Sequence, residues 1–106
     1  MQIQINSDKN IAVDEAISTF ITDELTRALT HFESRLTRVE VHLSDANADK
    51  SGPRDKRCLI EVRPRNHQPV TTSDEGSNVE QTVKGAANKM KNALQTLFDR
   101  QSNPRK

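Results

Sequence analysis

Polar and apolar residues alternate along several short stretches of the chain, which is typical of β-strands with one buried face. Residues 1–6, 38–43 and 57–63 show this alternation. Residues 70–73 form a weaker fourth stretch, and the proline directly before it favours an edge position in a sheet. Residues 44–56 are rich in Asp, Asn, Ser, Gly and Pro, and they predict a loop with a mobile tip.

Two further stretches repeat their apolar residues every three or four positions, as one face of an α-helix does. Asp14 is placed to cap the first helix, which is expected to end near Ser34. Ser77 and Glu80 have the spacing of a capping box for the second helix. The apolar stripes consist of Ile17, Ile21, Leu25, Ala28 and Phe32 in the first helix, and Val79, Val83, Ala86, Ala87, Met90, Leu94 and Leu97 in the second.

The predicted order of elements is therefore β-α-β-β-β-α, an α+β fold. A right-handed crossover makes the first two strands parallel, and the next two extend the sheet in antiparallel fashion. The result is a four-stranded mixed sheet with two helices packed on one face and water on the other. We expect residues 1–100 to form a single domain and residues 101–106 to form a short basic disordered tail.

Composition limits the chemistry that such a domain could perform. The chain has 106 residues, of which 32% are hydrophobic and 3% aromatic, so it can build one modest and mainly aliphatic core. No apolar run is long enough to predict a membrane span. A single cysteine excludes an internal disulfide framework and a zinc cage made of cysteines. Cys58 alternates with Ile60 and Val62, which predicts that it points into the core.

Motifs for catalysis or cofactor binding are absent from the sequence. The three histidines fall on a predicted helix, strand and loop, and none has the spacing of a metal site. No nucleophile elbow is present, and the three glycines are too scattered for a phosphate-binding loop. We therefore predict a protein that is not an enzyme and that uses no cofactor, no metal and no small-molecule substrate.

The distribution of charge is more informative than the net charge of +1. Residues 1–53 carry five basic and nine acidic side chains, whereas residues 54–106 carry eleven basic and six acidic ones. On a helical wheel, Lys84 and Lys91 share one border of the second apolar stripe, and Lys89 and Arg100 share the other. Such border cations either neutralise phosphates or simply keep the helix soluble. The outward sheet positions carry mixed charges and no aromatic residue, which excludes base stacking on that face.

Several short stretches, taken together with the order of elements, resemble one known family. They are Met-Gln-Ile-Gln-Ile at 1–5, Val-Asp-Glu-Ala-Ile at 13–17 and Gly-Ala-Ala-Asn-Lys-Met at 85–90. Over nearly its whole length the chain resembles a divergent short form of the ribosome hibernation-promoting factors, the HPF and RaiA proteins, also labelled sigma-factor modulation proteins. Residues 78–84 lack the two acids and the tyrosine with which family members usually open the second helix.

This resemblance implies a domain related in architecture to double-stranded RNA-binding domains. It implies a cytoplasmic bacterial protein, monomeric off the ribosome, that binds the small ribosomal subunit and its rRNA in the channel of mRNA and tRNA. Such a factor would inhibit translation and stabilise idle ribosomes under stress or in stationary phase. The cations expected to contact RNA are Arg27, Arg63, Arg65, Lys84, Lys89, Lys91 and Arg100.

An alternative from a different class remains open. The same fold can serve as a protein-interaction or regulatory module that does not bind RNA. The mixed charges of the outward sheet face and the missing acids of the second helix favour this alternative.

Overall fold

A computed structural model describes residues 1–9, 11–45 and 56–102 of the chain. Its elements are β1 (Gln2–Ser7), α1 (Glu15–Leu29), a 3₁₀ helix (Thr30–Arg35), β2 (Leu36–Asp45), β3 (Lys56–Pro64), β4 (Val70–Gly76) and α2 (Val79–Ser102). This order confirms the predicted β-α-β-β-β-α fold. Most of the predicted loop between β2 and β3, residues 46–55, lies outside the described residues.

The four strands form one mixed sheet in the order β1-β2-β3-β4. β1 runs parallel to β2, with Ile3 beside Val39, and the other two pairings are antiparallel. β4 lies at the edge, as predicted, but it continues to Gly76 and is longer than the expected 70–73. The extension pairs with the first residues of β3, where Lys56 lies opposite Gly76.

α1 begins where the sequence indicated and ends earlier. The Asp14 carboxylate accepts a hydrogen bond from the backbone N–H of Ile17 at 2.9 Å, which confirms the cap. The expected end near Ser34 is wrong for the α-helix, because the chain tightens into the 3₁₀ helix after Leu29. At three residues per turn, Phe32 falls directly above Leu29, and both side chains are buried.

α2 is capped by Asn78, so the predicted Ser77 cap is wrong by one residue. Oδ1 of the Asn78 side chain accepts from the N–H of Gln81 at 2.8 Å, and the backbone carbonyl of Asn78 accepts from the Thr82 hydroxyl at 2.6 Å. Because Asn and Ser are comparable caps, the choice depends on where the helix can start. β4 continues to Gly76, which leaves only Ser77 and Asn78 between the strand and the helix.

The far end of α2 also differs from the prediction. The helix continues to Ser102, so residues 101 and 102 of the predicted tail are helical. Phe98, one turn earlier, is buried and holds the last turns against the protein. Residues 103–106 of the predicted tail lie outside the described residues.

The core lies between the helices and one face of the sheet. Val39, Val41, Cys58, Ile60 and Val62 point into it from β2 and β3 and are fully buried. Both predicted helical stripes contribute to the same cluster, which also includes Leu29 and Phe98, two residues the predicted stripes omitted. Within the described part of the chain, no helix combines the length and the apolar character needed to cross a membrane.

Candidate nucleic-acid interface

A groove of about 140 Å³ separates α1 from α2 on the surface of the protein. Lys84, Asn88 and Lys91 line it from α2, because spacings of four and three residues place them along one helix face. Arg27 lines it from α1. The fold therefore brings three of the predicted RNA-contacting cations together in one place, which we call the inter-helix groove; Glu24 and Ala28 complete its lining.

The inter-helix groove has an excess of positive charge. Glu24, whose side chain is only 12% exposed, forms an ion pair with Arg27, which is 72% exposed. Lys84 and Lys91 form no ion pair with any residue that the structure describes. Three cations thus face one carboxylate, and the two lysines can bind phosphate without first losing a protein partner.

The opposite border of α2 has a different arrangement. Lys89 points towards β4, where its ammonium donates to the Asp74 carboxylate at 3.2 Å and to the Ser73 carbonyl at 3.0 Å. Its charge is therefore partly neutralised by the protein itself. Lys84 and Lys91 therefore face α1, whereas Lys89 faces β4.

The other predicted contacts lie apart from the inter-helix groove. Arg65 donates from Nε to the carbonyl of Ser34 at 3.1 Å and lines a separate open cleft with His31. Arg63 is on the outward sheet face, 3.8 Å from Glu61. Arg100 is exposed near the end of α2. Contact with RNA by any of these side chains stays a prediction.

The outward sheet face has the mixed charge that the alternation predicted. Arg38 forms an ion pair with Glu40 at 2.9 Å, and His42 lies 3.4 Å from the same carboxylate. All three phenylalanines of the chain pack into or against the core, on the other side of the sheet. The described residues therefore present no phenylalanine for base stacking on this face, whose exposed ring is the imidazole of His42 beside Glu40.

Two residues of the inter-helix groove were missed by sequence reasoning. Asn88 lies one turn after Lys84 and one turn before Lys91, so its position between two border lysines was a usable signal. Glu24 lies three residues before Arg27, so the spacing of their ion pair on α1 was also a usable signal, whereas the burial of Glu24 depends on tertiary packing.

Metal and thiol chemistry have no support in the described residues. They contain no group of three or more His, Cys, Asp or Glu side chains that could hold a metal ion. Cys58 is fully buried, as predicted. Burial raises the pKa of its thiol to about 12, with a further contribution from the negative charge of Asp74. The thiolate that redox or nucleophilic chemistry needs is therefore strongly disfavoured.

The chain matches one known protein family. Residues 3–102 match the model of the family described as Sigma 54 modulation protein / S30EA ribosomal protein, and the chain belongs to that family. Membership makes it a ribosome-associated factor, in a family of ribosome-binding proteins that are not enzymes. No curated protein sequence matches the chain.

Two solved structures are similar to this one. The N-terminal domain of Protein Y from Thermus thermophilus superposes with a TM-score of 0.73 at 17% identity, covering 92% of this chain and 99% of that one. A ribosomal subunit interface protein from Coxiella burnetii gives a TM-score of 0.77 at 13% identity, covering 93% of this chain and 99% of that one. At these identities the likeness shows the shared α+β fold.

Proposed function

We propose that this protein binds the small ribosomal subunit through rRNA phosphates, inhibits translation and stabilises idle ribosomes under stress or in stationary phase. It acts in the bacterial cytoplasm as a monomer off the ribosome, through a single domain that includes α2 up to Ser102. Family membership and the similarity in fold to a ribosomal subunit interface protein support this proposal.

The inter-helix groove is the observation that carries the proposal. Polyanion binding releases counterions when protein cations replace them at phosphates, and cations without a protein partner do this at the least cost. Lys84 and Lys91 meet this condition and lie beside Arg27. Arg65 and Arg100 are exposed and remain candidate contacts outside the groove, whereas Lys89 and Arg63 are held by carboxylates.

Cosedimentation with purified small and large ribosomal subunits tests the proposal. We expect binding to the small subunit that weakens as salt increases, with a log–log slope corresponding to about 0.7–0.9 for each phosphate contact. The same preparation should inhibit translation in a cell-free system. Binding that is indifferent to salt would contradict the phosphate mechanism.

A pull-down from nuclease-treated lysate separates the proposal from an RNA-independent interaction module. Bound ribosomal components should be lost when the RNA is digested. A non-ribosomal protein that stays bound after nuclease treatment would favour the module instead.

A further inference from the structure

Asp74 on β4 approaches α2 more closely than a side chain on the helix would permit. A Cβ atom placed on Gly85 would lie 1.7 Å from Oδ2 of Asp74 and 2.8 Å from its carboxyl carbon. Any residue other than glycine would therefore force the carboxylate to move. Glycine inside a helix is less stable than alanine, and this close approach explains its presence in the second turn of α2.

The approach brings Asp74 to the ammonium of Lys89. Oδ1 of Asp74 lies 3.2 Å from Nζ of Lys89, which also donates to the carbonyl of Ser73 at 3.0 Å. Both partners come from β4, and Lys89 lies one turn after Gly85 on α2. The Lys89 side chain is still 56% exposed, whereas that of Asp74 is 22% exposed. A phosphate arriving from solvent can thus reach the lysine, but it must compete with a carboxylate already in place.

We propose that Asp74 is an internal competitor of RNA phosphate for Lys89 and limits the affinity of α2 for polyanions. This inference rests on the proposed function and concerns how strongly the same surface binds. In the free protein the Asp74 carboxylate is paired with the Lys89 ammonium, so Lys89 contributes little to the binding of RNA phosphates. The border facing α1, with Lys84 and Lys91, supplies the main phosphate contacts.

Asp74→Asn tests the competition because it removes the charge and conserves the shape. We expect its affinity for small ribosomal subunits to rise about two- to fivefold, the factor that corresponds to releasing an exposed ion pair. The log–log salt slope should become steeper by about 0.7–0.9, the value of one added phosphate contact. Gly85→Ala should act in the same direction, since its methyl group displaces the same carboxylate.

Two controls distinguish competition from a general loss of negative charge. Asp99→Asn removes the same charge from α2 at a residue bonded to Gln95 rather than to Lys89, and it should leave the slope close to that of the unaltered protein. In a Lys89→Gln background, Asp74→Asn should give no gain. Thermal unfolding of each variant identifies any that fails to fold. If Asp74→Asn does not fold, Gly85→Ala is used in its place, and if Gly85→Ala does not fold, Asp74→Asn alone carries the test.

The outcomes separate this inference from the proposed function. If the unaltered protein does not bind subunits, the proposed function fails, and the same variants are compared on a mixed-sequence RNA duplex. If the unaltered protein binds but Asp74→Asn binds no more tightly, or gains equally without Lys89, the competition is disproved. The Lys89–Asp74 pair is then only a structural link between β4 and α2.

Discussion

Arg35 lies over the ring of Phe98, with its guanidinium carbon 4.4 Å from the ring centroid. The same ring lies beside Phe32, at a centroid separation of 5.4 Å and an interplanar angle of 37°. Phe32 and Arg35 belong to the 3₁₀ helix, and Phe98 belongs to the last turns of α2. These contacts attach the end of α2 to the segment that leads from α1 into β2.

Removing the Phe98 ring should destabilise the fold strongly. The side chain is 5% exposed, so Phe98→Ala leaves a cavity, and we expect the free energy of unfolding to fall by about 3–5 kcal/mol. Arg35→Ala loses only the cation–π contact, at a cost of about 0.5–1 kcal/mol. Urea denaturation followed by circular dichroism measures both, with Phe98→Leu as a control that keeps most of the apolar volume. Equal effects of the two alanine variants would show that the ring is not an anchor.

The Cys58 thiol should be inert in the folded protein. Its pKa is raised to about 12 by burial and by Asp74, whereas the thiolate is the species that reacts with alkylating reagents. At pH 8 the thiolate fraction is on the order of 10⁻⁴. We expect iodoacetamide to label Cys58 only when urea unfolds the protein, at a rate that follows the unfolded fraction. Rapid labelling under native conditions would show that the thiol is accessible.

The same thiol should make stability depend on alkaline pH. In the unfolded chain it ionises near its ordinary value of 9.0, whereas the folded protein holds the proton to about pH 12. Between these two pH values the unfolded state therefore binds fewer protons than the folded state. The contribution of the Cys58 thiol to the free energy of unfolding consequently falls by about 1.4 kcal/mol per pH unit. Cys58→Ala lacks this contribution, so subtracting its pH profile isolates the effect from titrating lysines. If the unaltered protein and Cys58→Ala lose stability in parallel as the pH rises, the expected contribution of the thiol is absent.

The fold was predictable because its local signals agree with its tertiary contacts. Alternation in β2 and β3 correctly separated buried positions such as Val41 and Ile60 from the outward Glu40 and Glu61. The error in the cap of α2 occurs where two local signals are equivalent. Ser77 and Asn78 are both good caps, and only the length of β4 decides between them.

The candidate site was predictable only in part. The helical wheel correctly placed Lys84 and Lys91 on one border of α2, because that grouping depends on helix geometry alone. It could not show that Arg27 shares a groove with them, since this depends on how α1 packs beside α2. Nor could it show that Lys89 is held by Asp74, because a contact between distant segments has no local signature.

Substitutions at the two candidate caps should separate their roles. Asn78→Ala removes the acceptor for the N–H of Gln81, and we expect a loss of about 0.5–2 kcal/mol in the free energy of unfolding. Ser77→Ala should cost much less, since its hydroxyl does not cap the helix that begins at Val79. Thermal unfolding of the two variants side by side makes the comparison. A larger loss for Ser77→Ala would restore the capping box that the sequence suggested.

The inter-helix groove makes a quantitative prediction for its two lysines. Lys84→Gln and Lys91→Gln each remove a cation that has no ion-pair partner among the described residues, so each should weaken binding to small ribosomal subunits. The log–log salt slope should become shallower by about 0.7–0.9 for each substitution and by about twice that in the double variant. Because both side chains are exposed, the midpoint of thermal unfolding should stay close to that of the unaltered protein.

Arg38→Gln is the matched control for these lysine variants, since it removes the same charge from the outward sheet face, where Arg38 is bound to Glu40. If the phosphate contacts are made in the inter-helix groove, the salt slope of Arg38→Gln should equal that of the unaltered protein. If Arg38→Gln lowers the slope as much as Lys84→Gln does, binding depends on net charge rather than on the groove. If neither lysine variant changes the slope while the unaltered protein still binds, the RNA contacts lie elsewhere, and Arg65 and Arg100 are the next side chains to substitute.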